Sequence, residues 1–315
     1  MSVVREGQGT VQQQEILTNL LAIGKSRPSF DNALAGDLIS WLAEKLAPAA
    51  AFLINEQRLV INKHHLSHSL ACEGLYAADL EEEFAWTTAN VKGTIVHGAI
   101  ERFLLSPNPQ PPLDLVHRTI DRLAEKDEGW GPGEFLRMID EDERLEIIRD
   151  ANDAVTKFVI DWPPIPTKWT PRIESRFTYP LFEGLIELKA KLDLAIGRPT
   201  DDKAKVIIID FKTGRPSVSH QSDLHFYALL ETLTRKTPPF RVATYYLDSG
   251  VADTEDVTTD LLWSEAHRVA EGGLRMARLL AGNEPETLTP SPLCDYCPRL
   301  ASCDVGQEAR DRGWR

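Results

Sequence analysis

The sequence predicts an α/β fold, with helices through its first half, a sheet in its second and a cysteine-rich tail beyond. Three observations carry this. Glu187 to Ile196 alternates with period two, Leu188, Ala190, Leu192 and Leu194 to one side and Glu187, Lys189, Lys191 and Asp193 to the other, as a strand with one buried face does. Lys205 to Lys212 runs without interruption through Val206, Ile207, Ile208 and Ile209, which suits a central strand covered on both faces. Helical periodicity brackets this pair, from Val91 to Leu105 before it and from Leu224 to Leu233 after it.

In chain order, residues 15–60 read as packing helices, with Ile16, Leu20 and Leu21 and then Leu38, Trp41, Leu42 and Leu46 at helical spacing. Gly24-Lys25-Ser26 has the look of a phosphate-loop ending, but Asn19 stands where that motif needs glycine, and we discount it. The helix from Val91 presents Ile95, Val96, Ala99, Ile100, Phe103 and Leu104 as a stripe, and the proline cluster from Ser106 to Pro112 ends it. Leu113 to Phe158 is acidic and helical with a break at Gly129 to Gly133. After the two strands, Arg241 to Leu247 reads as a third strand and Asp260 to Leu280 as a long amphipathic helix. The expected organisation is a helical region at 1–60, a core at 61–283 with a helical insertion at about 106–170, and a cysteine-rich segment at 284–315.

At 315 residues, 42% hydrophobic and 26% charged, the chain is long enough for a large core and ordinary enough to exclude disorder. Its apolar runs fall short of the roughly 18 residues of a membrane span. Met1 to Gln14 lacks the basic-then-apolar order of a signal peptide, so the expectation is a cytoplasmic protein. The net charge of −13 argues against coating nucleic acid through an overall positive field. From Lys168 to Arg215, however, ten Lys/Arg meet seven Asp/Glu, which makes this stretch the place for a nucleic-acid contact.

Asp210 and Lys212 share one face of their strand and Phe211 takes the other. A hairpin can bring Asp193 beside them, and two carboxylates converging at a buried strand end call for a divalent cation. A neighbouring lysine could then orient water or offset charge on a phosphate. His97 and Glu101, four apart on the helix, share a face and would complete a mixed N/O site suited to Mg²⁺ or Mn²⁺. Cys294, Cys297 and Cys303 form C-x2-C-x5-C, and Cys72 is the remaining cysteine. In a cytosolic chain such thiolates point to a metal centre, and spacing leaves zinc and iron–sulfur both open.

The series Gly93-Thr-Ile-Val-His97-Gly-Ala-Ile-Glu101, Lys191-Leu-Asp193 and Asp210-Phe-Lys212-Thr-Gly214 resembles the ordered motifs of RecB-type PD-(D/E)XK nucleases. With Leu66 to Cys72 upstream and the terminal cysteines, the layout resembles the iron–sulfur nucleases of the AddB and CRISPR-associated adaptation groups. The resemblance spans about residues 66–105 and 172–303. It implies a restriction-endonuclease-like core, a mixed sheet flanked by helices. It further implies that His97, Asp193, Asp210 and the Phe211 carbonyl hold the cation, that Lys212 is catalytic, and that Glu101 and Glu174 are supporting acids. Cys72, Cys294, Cys297 and Cys303 would hold a [4Fe–4S] cluster clasping the tail to the core. The implied activity is metal-dependent hydrolysis of DNA, as an exonuclease in repair, recombination or phage- and CRISPR-related processing, with a helicase or recombination protein as a possible partner. Other readings are a non-catalytic DNA-binding subunit of a larger complex and a zinc-stabilised structural protein. The family's Gln-x-x-x-Tyr is here Asp223-Leu-His-Phe-Tyr227, which leaves Tyr227 and the nearby Gln221 as the DNA-contact candidates. Ala190 also replaces a usual glycine.

Overall fold

A computed structural model of the chain describes residues 9–53, 57–81, 84–106, 108, 110–126, 131–199, 203–282 and 285–313. The reading on residues 1–8 and the first part of the Gly129–Gly133 break, residues 129–130, lie outside them, and the rest of that break opens the helix that begins at Pro132. Helices α1 (Val11–Leu21) and α2 (Leu34–Phe52) open the described chain, followed by β1 (Leu59–Ile61), α3 (Lys63–Ala71), α4 (Glu73–Glu81) and α5 (Thr88–Leu105). Then come α6 (Pro112–Lys126), α7 (Pro132–Met138) and α8 (Glu141–Asp161), and strands β2 (Arg172–Leu181), β3 (Ile186–Ile196) and β4 (Ile207–Lys212). The chain continues through α9 (Val218–Arg235), β5 (Arg241–Tyr246), β6 (Val251–Asp256) and α10 (Thr259–Leu280) to α11 (Asp304–Asp311).

The strands make one mixed sheet in the order β1-β3-β4-β5-β6, with β2 also on β3. β1 is parallel to β3 and β4 to β5; β2–β3, β3–β4 and β5–β6 are antiparallel. β3 is therefore a fork: β2 takes one edge, while the other pairs with β1 over Ile186–Leu188 and with β4 over Leu194–Ile196. Two cores sandwich the sheet. One gathers Leu38, Leu42, Leu188, Ile208, Leu229 and Val269 under α2, α9 and α10, and the other gathers Ile95, Ala99, Val155, Ile207, Ile209 and Phe211 under α5 and α8.

Two expectations need correction. The helical reading of residues 15–60 ends in a strand, β1, whose Leu59 and Ile61 are buried against β3. The single-sided alternation of β3 also fails. Leu188 and Leu192 pack in the α2/α9/α10 core, but Leu194 and Ile196 pack with Ile207 and Ile209 on the other side. The slip occurs at Asp193, whose cross-strand neighbour Glu174 has φ +50° and interrupts the ladder between the pairs Ile173–Leu194 and Ser175–Leu192. A left-handed glutamate inside a strand is strained, and such strain is held where surrounding structure imposes it.

Candidate active site

The fork and the kink bring the predicted residues together. β3–β4 pairing stops at Leu194–Ile209, and the next free β4 amide, that of Phe211, donates to Asp193 Oδ2 at 2.8 Å. Across from it, Asp193 Oδ1 lies 3.2 Å from His97 Nδ1. His97 is carried by α5, whose N-terminus is capped by the Thr87 side chain accepting from the Asn90 amide. Glu174 completes a triad in which ligand atoms of His97, Glu174 and Asp193 all lie within 4.8 Å of one another, and it pairs with Lys191. Glu101, one turn past His97, lines the same cavity and stands 3.9 Å from Arg122.

Asp210, 3% exposed, sits with Lys212 Nζ 2.9 Å from its Oδ2; that oxygen is buried without a well-directed hydrogen bond. Lys212 also donates to Asp223 Oδ2 at 3.2 Å, and Lys63 donates to the same oxygen at 2.9 Å. Lys63, brought in from α3, and the bridging role of Asp223 were missed in the sequence. Asp223 was visible as a departure from a motif, but Lys63 comes from 160 residues away and carries no local signal. Tyr227 is 3% exposed and lies beneath Lys63, whose Nζ is 5.1 Å from its ring centroid. Gln221 is not brought to this site; its amide donates to Glu255 at 2.9 Å in a separate groove beside Tyr246.

Burial and the Asp193 charge push the Asp210 pKa up, against the pull of Lys63 and Lys212. Burial would raise Asp193 as well, but His97, the Phe211 amide and Lys63 hold it below the usual carboxylate range. Burial alone would lower His97, yet Asp193, Asp210 and Glu174 outweigh it and raise its pKa. Lys212 behaves likewise, burial being overcome chiefly by Asp210. The net picture is a buried anionic pocket whose like charges strain against each other. One nitrogen and several carboxylate oxygens, with Asp210 Oδ2 poorly satisfied, fit a hard divalent cation.

A cavity of about 950 Å³ opens beside the triad, lined by His97, Glu101, Glu174 and Lys63 together with Arg102, Arg122, Arg176 and Lys191. Phe84, 61% exposed, and Trp86 meet edge to face at 4.9 Å on its wall.

The cysteines meet elsewhere. Cys72, between α3 and α4, lines a cavity of about 500 Å³ with Cys294, Cys297 and Cys303. Backbone amides of Thr289, Ser291 and Gly306 donate to the sulfurs of Cys72, Cys294 and Cys303 at 3.4, 3.5 and 3.4 Å. A Cβ on Gly306 would lie 3.5 and 3.6 Å from the Cys303 and Cys294 sulfurs. Four cysteines around one cavity, three of them met by backbone N–H groups, make a donor set for a thiolate-bound metal centre.

Among the described residues, no helix is long and apolar enough to cross a membrane. No curated protein matches this chain. Solved structures that resemble it include a protein of Eubacterium rectale provisionally named an exonuclease (12% identity, 84% of this chain and 91% of that one, TM-score 0.46). Another is a protein designated SSO0001 (14% identity, 86% and 98%, TM-score 0.36). The family model of the PD-(D/E)XK nuclease superfamily matches residues 64–304, a span that holds the forked strand, the carboxylate pocket and all four cysteines; the chain belongs to that superfamily.

Proposed function

We propose that this protein is a Mg²⁺- or Mn²⁺-dependent deoxyribonuclease that degrades DNA from ends, and that its four cysteines hold a structural [4Fe–4S] cluster. The observation that carries the reading is the pocket at the β3 fork, where ligand atoms of His97, Glu174 and Asp193 converge, with Asp210 and its neighbour Lys212 in the same field of charge. His97, Asp193, Asp210 and the Phe211 carbonyl would hold the cation, with Glu174 and Glu101 as supporting acids. When bound, the cation supplies a water of lowered pKa and charge for the scissile phosphate.

The chain's own groups do the rest. The Phe211 amide fixes one Asp193 oxygen and His97 the other, so that carboxylate is oriented before substrate arrives. Lys212 Nζ, held between Asp210 and Asp223, would donate to a non-bridging phosphate oxygen as charge builds there. Arg102, Arg122, Arg176 and Lys191 on the cavity wall suit a phosphate backbone, and Phe84 with Trp86 offers a face for an unpaired base. Locally positive walls reconcile DNA binding with a net charge of −13. For the cysteines, their meeting around one cavity and the N–H···S bonds support a thiolate-held centre, and the resemblance of their layout to iron–sulfur nucleases favours the cluster over zinc.

The test is cleavage of end-labelled single- and double-stranded DNA and of a closed circle, with Mg²⁺, Mn²⁺ or EDTA. Linear substrates should shorten only with metal while the circle resists. Asp210→Ala and Lys212→Ala should each lose activity by on the order of 100-fold or more without a change in fold. Metal-dependent cleavage that survives either substitution overturns the assignment; binding without cleavage in the wild type would identify a DNA-binding subunit instead.

A further inference from the structure

Three histidines follow Lys63 at the start of α3 and along it, and the nuclease reading uses none of them. His64 and His68 are one helical turn apart on α3, and Asp79 faces them from α4. Ligand atoms of all three lie within 4.8 Å of one another. His68 Nδ1 stands 2.6 Å and His64 Nε2 3.4 Å from the same oxygen, Asp79 Oδ2, and the two imidazole rings are 3.9 Å apart, centre to centre. His65 takes no part, since its Nδ1 is turned to the Val60 carbonyl at 3.2 Å and to the Asn62 side chain.

Two imidazoles this close, aimed at one carboxylate oxygen, are poorly served by protons alone, because charging both rings sets like charges 3.9 Å apart. A divalent ion among them instead takes one lone pair from each neutral ring and the negative charge of Asp79. Two nitrogens and one oxygen suit zinc and its first-row neighbours far better than Mg²⁺. The His64 side chain is 58% exposed, and it lines a shallow groove with Arg176, Lys189 and Lys191. A three-ligand site there would keep a coordination position toward solvent.

We propose that His64, His68 and Asp79 form a second metal site, for zinc or a similar first-row divalent ion, that pins α3 to α4. That hairpin supplies Lys63 to the carboxylate pocket and Cys72 to the cysteine cavity, so the ion would fix the element that joins the two. The site does not depend on the nuclease reading.

The full-length protein is titrated with Zn²⁺ alone by calorimetry, its metal content is measured, and the zinc shell is read by X-ray absorption. The comparison set is His64→Asn, Asp79→Asn and, as the control in the other pocket, His97→Asn. The expected result is one zinc with nitrogen and oxygen neighbours and a zinc-dependent rise in Tm. Affinity should fall on the order of 100-fold in His64→Asn and stay unchanged in His97→Asn. His64 is exposed, so that variant folds even if Asp79→Asn does not. Wild-type zinc affinity in His64→Asn, or sulfur in the zinc shell, overturns the proposal.

Discussion

At the scale of single residues, the pocket is a balance of charges in which Asp223 has an outsized part. Its Oδ2 receives both Lys63 and Lys212, so it fixes the direction of the lysine expected to meet the phosphate. It stands where the resembled Gln-x-x-x-Tyr motif has glutamine, and its two lysine partners suit it to aiming Lys212. Asp223→Asn keeps the shape but replaces a charge-assisted acceptor with a neutral one, which is worth about 1–2 kcal/mol per bond. The expected outcome is a single-turnover cleavage rate reduced about tenfold with DNA affinity nearly unchanged, milder than Lys212→Ala. An unchanged rate, or a loss confined to affinity, would remove Asp223 from the positioning role. Asp210 and Lys212 were readable because both lie on one short strand; Lys63 was not, because nothing in its neighbourhood distinguishes it from any lysine at a helix start.

At the scale of elements, legibility followed burial. β4 and β5 are buried along nearly their whole length, and continuous apolar runs announce such strands. β6 lies at the sheet edge with the sequence VADTED and much of it exposed, β1 is three residues long, and β2 mixes charges, a proline and the kinked Glu174; none of these carries a period long enough to read. The kink itself, which places Glu174 opposite Asp193, arises from pairing and is invisible in either strand alone. The acidic helices between α5 and β2 were legible as helices, but their docking was not. It depends on close approach at Gly98 of α5, where a Cβ would stand 2.6 Å from Thr119 Cγ2 of α6. Gly98→Ala should therefore cost about 1–3 kcal/mol and lower Tm by several degrees in a thermal melt. Thr119→Ser removes that methyl while keeping the hydroxyl that donates to the Leu115 carbonyl. The double variant should recover most of the loss, a coupling that independent sites would not show.

At the scale of the molecule, the tail returns across more than 200 residues to a single helical hairpin. Glu73, next to Cys72, is buried, pairs with Arg278 and accepts from the Thr287 amide at 2.7 Å. Arg299 bridges Glu286 at 2.9 Å and Glu81 at 2.6 Å, and both partners hold its pKa above the ordinary arginine value. The Arg299 pairs lie near the surface, where each is worth little by itself, and the buried Glu73–Arg278 pair ties α4 to α10, not to the tail. Between residues 285 and 313 the structure is two short turns and the eight-residue α11, with few buried side chains, too little apolar surface to hold such a segment in place. On the proposed reading the centre held by the cysteines would supply most of the attachment, and ligand binding and local folding would become one event. Cys294→Ser should yield a colourless protein where the wild type, purified without oxygen, is brown. Its tail should be cut by trypsin at Arg299 or Arg310 under conditions that leave the wild type intact, while the sheet and its carboxylate pocket, which rest on separate cores, keep their far-ultraviolet circular dichroism. A colourless wild type containing stoichiometric zinc would replace the cluster with a zinc clasp, and a tail that stays protected in Cys294→Ser would show that the ion pairs hold it unaided.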